Sequence, residues 1–138
     1  MVTRRLGYLL KHAQQRMAEL TEAALGPLGL TGRELGVLNV LVGREPGSQQ
    51  QAAQRLGIDR TTMVALLDTL EGKGLVARHP HAEDRRRNVV ELTDLGRSTL
   101  RKANARTAEA DREFLAPLSP ADAQRLRRLL RAVAVLPE

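Results

Sequence analysis

The 138-residue chain has no cysteine and no tryptophan, and its aromatic residues are Tyr8 and Phe114 alone. Without cysteine there is no disulfide, no thiolate metal site and no thiol redox sensor. With two aromatic rings there is no platform on which unstacked bases are read, so a nucleic-acid partner is expected to be double-stranded. No apolar run approaches the roughly 18 residues that a membrane-spanning helix needs, so no membrane partner is expected. The first ten residues carry Arg4 and Arg5 but no long apolar stretch or small-residue cleavage site, which makes the cytoplasm the expected location. HExxH, a glycine-rich phosphate loop and a nucleophile elbow are all missing, so no catalytic residue and no cofactor is assigned.

Charge is what the chain does have. Lys and Arg number 22 against 16 Asp and Glu, a formal net charge of +6. Such an excess favours a polyanionic partner, nucleic acid first and an acidic membrane second, although an arginine-rich proteome gives the same balance. The surplus is spread out: residues 1–47 hold 6 basic against 4 acidic, 48–93 hold 7 against 6, and 94–138 hold 9 against 6. No tail concentrates it; one dense local run does.

The order of elements follows from hydrophobic period and stop signals. Leu6, Leu9, Leu10, Ala13, Met17, Leu20 and Ala24 keep a helical spacing up to Gly26-Pro27. A second helix is predicted after Thr31, with Glu34 placed for a capping box, through Leu35, Leu38 and Val42 to Pro46-Gly47. Ser48 is positioned to cap a short third helix, Gln49 to Leu56, which Gly57 ends. Asp59 caps a fourth, Arg60 to Lys73, with Met63, Leu66, Leu67 and Leu70 on its inner stripe and Gly72 and Gly74 closing it. Leu75 to His79, broken by Pro80, and Val89 to Leu92 read as two strands around a charged loop. Thr93 caps a long helix from Asp94 towards Leu115, ended by Pro117, and Ser119-Pro120-Ala121-Asp122 opens a last helix carrying Leu126, Leu129, Leu130 and Val133, with Leu136 beyond. The fold class is therefore mainly α with a small two-stranded β wing. The long outer helices bear apolar stripes with little inside the chain to cover them, which a second subunit satisfies; an intramolecular bundle is the alternative.

Residues 48–74 have the build of a helix-turn-helix, with Gly57 free to take a positive φ in the turn and Ile58 filling the angle between helices. On the second of these helices Thr61, Val64, Ala65 and Asp68 point away from the apolar stripe. Small and hydroxyl-bearing side chains near a helix N-terminus suit close approach to base edges, and Thr62 with the helix N-terminus suits phosphate. Asp68 repels phosphate unless it is paired, so it is expected to lie beyond the DNA or to accept from a cytosine. An ordinary solvated helix face is the bland reading of the same residues. His81-Ala82-Glu83-Asp84-Arg85-Arg86-Arg87-Asn88 is sharper: three adjacent arginines projecting between two strands suit phosphate contact and insertion into a narrow minor groove, against the plain alternative of a solvated loop.

Asp84-Arg85-Arg86-Arg87-Asn88-Val89-Val90-Glu91-Leu92-Thr93-Asp94-Leu95-Gly96 resembles the wing signature of the MarR (multiple antibiotic resistance regulator) family: aspartate-arginine-arginine, a strand, then leucine-threonine-x-x-glycine. Leu70-Glu71, Gly74-Leu75-Val76 and Arg78 are similar to the end of that family's recognition helix and its first wing strand, and Leu30-Thr31 with Leu35 and Leu38 to its second helix. Ala52 departs from a leucine common there. The resemblance implies one MarR-type domain over 1–138, with a winged helix-turn-helix DNA-binding lobe at 30–93 and dimerisation helices at 1–26 and 94–138. It implies a homodimeric regulator of double-stranded DNA, most often a repressor, on a pseudo-palindromic operator. Arg60, Thr61, Thr62, Val64 and Ala65 then belong to the recognition helix. Ser48, Gln49 and Gln50 open the helix before it. Arg86 enters the minor groove, oriented by Asp84, with Arg85 and Arg87 on phosphates.

The family responds to small, often anionic aromatic effectors, and Tyr8, His12 and Arg16, at i, i+4 and i+8, are candidates to meet one; a structural histidine beside a solvated arginine is the alternative. His79, His81, Glu83 and Asp84 invite a metal-enzyme reading, which Pro80 and the crowded charge weaken, and no metal ligand is assigned. A winged helix that binds protein instead of DNA is the remaining alternative.

Overall fold

A computed structural model describes residues 4–42, 53, 56–80, 82–84 and 88–136. Helix α1 spans Leu6–Leu25, a 3-10 turn Gly26–Leu28, α2 Gly32–Leu41, α3 Arg60–Gly72, α4 Asp94–Leu115 and α5 Pro120–Val133. Strands β1 (Val76–Pro80) and β2 (Asn88–Leu92) form the sheet. The short helix expected at Gln49–Leu56 lies outside the described residues except for Ala53 and Leu56, both helical. There Ile58 N donates to the Ala53 carbonyl at 3.2 Å, and Gly57 takes φ 64° at the turn into α3.

Two compact units divide the chain: residues up to Gly32 together with Asn104–Leu136, and Arg33–Ala103. In the second, Leu35, Val37 and Leu38 of α2, Met63, Leu67 and Leu70 of α3 and Val76, Val89, Val90 and Leu92 of the hairpin are buried. Leu66, expected among them, is half-buried at the margin of the stripe. The strands pair antiparallel with Val76 opposite Leu92, Arg78 opposite Val90 and Pro80 opposite Asn88. Pro80, expected to break the first strand, is its last residue, a terminal position where a missing N–H is tolerated.

The first unit holds α1, the second half of α4, and α5. Gly26-Pro27 ends α1 as the sequence predicts, but through a 3-10 turn that Gly29 closes at φ 68°. The second half of α4 lies along α1: the Arg106 Nε donates to the Ala24 carbonyl at 2.5 Å. The α5 cap forms as its sequence indicates, Asp122 N donating to Ser119 Oγ at 3.2 Å with Pro120 in the first turn. Its leucine stripe, in contrast, is largely uncovered: Leu129, Leu130 and Val133 are 53%, 43% and 77% exposed. Leu6, Leu9 and Leu10 of α1 are exposed as well.

Candidate nucleic-acid interface

Asp59 fixes where α3 begins. Its carboxylate accepts from Thr62 N at 3.1 Å and from the Thr62 hydroxyl at 2.5 Å. Those bonds, the hydroxyl first, hold the Asp59 carboxyl below the usual aspartate range. Arg60, Thr61 and Ala65 are exposed and Val64 is half-buried, so a strip of small side chains runs along the outer face from the capped end. Thr62, expected with the helix N-terminus to meet phosphate, is half-buried, and its hydroxyl donates to Asp59.

The far end of α3 is tied down twice. Lys73 Nζ meets Glu34 Oε2 at 2.8 Å, and Glu34 is 3% exposed although it lies in the first turn of α2. Arg78 of β1 reaches back to both α3 carboxylates, to Glu71 at 3.3 Å from Nε and Nη2 and to Asp68 from Nη2. Glu71 and then Asp68 raise the Arg78 pKa above its ordinary value, against a smaller opposing effect of burial. Asp68 is thus paired with Arg78, whereas the sequence reading set it beyond the DNA or on a cytosine. Sequence reasoning did not find the partner, because a strand arginine ten residues away has no local spacing rule to reveal it.

The hairpin is anchored at its base. Thr93 N donates to the Leu75 carbonyl at 3.1 Å and its hydroxyl to the Gly74 carbonyl at 2.6 Å. The same oxygen accepts from Gly96 N at 2.9 Å, capping α4. A Cβ on Gly96 would lie 2.0 Å from the Leu75 carbonyl oxygen, so only glycine fits there. The leucine-threonine-x-x-glycine motif is one joint: Leu92 buried, Thr93 bonded in both directions, Gly96 against backbone.

Of the wing, Asp84 is half-buried; Arg85, Arg86 and Arg87 lie outside the described residues, as do Ser48, Gln49 and Gln50. His79 Nε2 sits 2.9 Å from Glu91 across the hairpin, and His81 is outside the described residues. No group of three or more His, Cys, Asp or Glu able to hold a metal occurs among the described residues. Tyr8 and His12 do come together, ring centroids 4.2 Å apart. Arg16 is engaged elsewhere: its guanidinium donates to the Phe114 carbonyl at 2.7 Å and the Glu113 carbonyl at 3.0 Å, and lies 5.0 Å from the Phe114 ring centroid. It caps the end of α4, where a cation is favoured.

A capped helix entered through the Gly57 turn and followed by an antiparallel hairpin is the arrangement of a winged-helix DNA-binding protein. The model of the MarR family matches residues 28–87. A transcriptional repressor of Mycobacterium tuberculosis is 33% identical over 126 residues, covering 91% of this chain and 90% of that protein. A regulatory protein for the hcr operon of Thauera aromatica is 32% identical over 103 residues, and there the match spans 75% of this chain and 62% of that protein. The repressor CouR has been solved on a 23-mer DNA duplex, with 35% identity, TM-score 0.89 and coverage of 97% of this chain and 95% of that one. CouR from Rhodococcus jostii RHA1 has also been solved with p-coumaroyl-CoA, at 28% identity and TM-score 0.81, covering 96% and 94%. The chain belongs to the MarR family of transcriptional regulators.

Proposed function

We propose that the chain acts in the cytoplasm as a homodimeric repressor that covers a pseudo-palindromic operator and is released by a small anionic or aromatic effector. The outer face of a capped α3, with Arg60, Thr61 and Ala65 exposed and Val64 half-buried, held against the hairpin by Arg78, is the observation that carries the DNA-binding half of this reading. Two such helices, one per subunit, enter successive major grooves about 10 bp apart. Ser48, Gln49 and Gln50 lie against the backbone beside them. On the wing, Arg86 enters the minor groove with Asp84 orienting it, and Arg85 and Arg87 meet phosphates. Residues 30–93 are the DNA-binding lobe, and 1–26 with 94–138 supply the dimer contacts, for which the uncovered leucines of α1 and α5 are the support. The printed ligand of CouR, p-coumaroyl-CoA, is both aromatic and anionic and supports that chemistry for an effector. Such a molecule acts through unequal affinity for DNA-competent and incompetent dimers. We assign no catalytic role, metal or cofactor.

The test is fluorescence anisotropy of the purified protein against duplexes tiled from the DNA flanking its own gene, over a salt series. One palindromic segment bound at nanomolar concentration, weakening steeply with salt, is expected. Equal weak binding to every duplex would overturn the operator reading. Arg86→Ala should lower operator affinity by about 1–3 kcal/mol, the usual range for an arginine in a groove. An unchanged affinity would place the wing away from DNA.

A further inference from the structure

We propose that Arg78 is a positioning residue for DNA recognition, its charge engaged within the lobe by Asp68 and Glu71 and withheld from the phosphate backbone. This rests on the DNA-binding reading above and adds a residue to it. Seven residues separate Thr61 from Asp68, which at about 100° per residue is two turns less about 20°, so Asp68 lies nearly in line with Thr61 on the outer face of α3. Its side chain is 57% exposed and that of Glu71 44%, whereas the Arg78 side chain that joins them is 18% exposed. The cation is thus the covered member of the cluster and the carboxylates the outward ones.

Two consequences follow for binding. A bare carboxylate on the groove face opposes phosphate at close range, and Arg78 offsets that repulsion from behind. Arg78 also sits in mid-strand opposite the buried Val90, so its bonds to Asp68 and Glu71 set the root of the hairpin against α3. Recognition helix and wing then reach their two grooves at one fixed spacing. A lysine offers a single point charge and cannot span both carboxylates in this way.

Four proteins decide the matter: the unmodified chain, Arg78→Gln, Asp68→Asn with Glu71→Gln, and all three substitutions together. Each is measured by anisotropy on the flanking-DNA duplexes across a salt series, alongside its thermal midpoint. Arg78→Gln should weaken operator binding on the order of tenfold with the salt slope unchanged, since no phosphate contact is lost. Adding the two carboxylate substitutions should recover part of the loss, to within about threefold of the unmodified protein, because the repulsion leaves with its source and only the tie to the hairpin is still missing. If Arg78→Gln fails to fold, the carboxylate pair variant still decides: its side-chain amide oxygens still accept from the Arg78 guanidinium while the repulsion is gone, so it should bind at least as tightly as the unmodified chain, and weaker binding overturns the proposal. A salt slope reduced by about one in Arg78→Gln, with no recovery in the triple variant, would make Arg78 a direct phosphate contact and overturn it too. Absence of operator binding by the unmodified chain instead removes the DNA-binding reading itself.

Discussion

Gly96 and Asp59 show how single residues fix the geometry of the lobe. At Gly96 the limit is space. A methyl group 2.0 Å from the Leu75 carbonyl oxygen meets backbone, which cannot rotate aside. Gly96→Ala is expected to lower stability by about 3 kcal/mol or more, read as the urea midpoint, well beyond a typical surface substitution. An effect within about 0.5 kcal/mol would mean that α4 shifts freely against the hairpin base. The sequence showed Gly96 as part of a family pattern but not its reason, because the carbonyl it approaches belongs to a residue 21 positions away. At Asp59 the limit is charge. Its bonds from Thr62 depress the carboxyl pKa below the ordinary aspartate range, so the stabilisation is fully present above that range and fades as pH falls through the lowered value. The difference in thermal midpoint between the unmodified chain and Asp59→Ala should therefore be constant near neutrality and shrink below about pH 4. A difference that persists unchanged into stronger acid would assign the effect to packing.

At the scale of elements, ends were more legible than partners. Asp59, Thr93 and Ser119 all cap the helices that their residue types announced, and Gly57 and Gly74 take the positive φ that their turns require. Caps and turns are local, so sequence carries them. The ties between elements are not local. Glu34, positioned in sequence for a capping box with Thr31, reaches Lys73 across 39 residues, and Arg16 reaches the end of α4 across 98. Arg16→Ala should remove two charge-assisted bonds to the Phe114 and Glu113 carbonyls, together with their favourable position at a helix C-terminus. About 1 kcal/mol of stability should be lost by thermal unfolding, while the affinity of any bound aromatic acid stays within twofold of the unmodified protein. A selective loss of effector binding at full stability would place Arg16 in the effector site with Tyr8 and His12.

For the whole molecule, the uncovered leucines decide more than the charge does. Leu129, Leu130 and Val133 stand on a helix that also carries Arg125, Arg127, Arg128 and Arg131, an amphipathic face left largely uncovered by the described residues of a single copy. Leaving several large aliphatic side chains in water forgoes roughly 1.5–3 kcal/mol each, and in the proposed homodimer a second copy supplies the cover without any new sequence. The operator then sees two recognition helices joined in one particle. Losing that joint converts one bivalent event into two weak ones, even where each lobe is intact. Leu129→Glu with Leu130→Glu places carboxylates in the proposed contact. It is expected to give a monomer in sedimentation velocity at micromolar concentration, with helicity retained by circular dichroism. Operator affinity should fall by about 100-fold or more, while binding to an isolated half-site is nearly unchanged. A dimer that survives both glutamates would move the interface off α5. A monomer that still binds the full operator at wild-type affinity would mean that one lobe suffices, and the two-fold reading of the site would have to be abandoned.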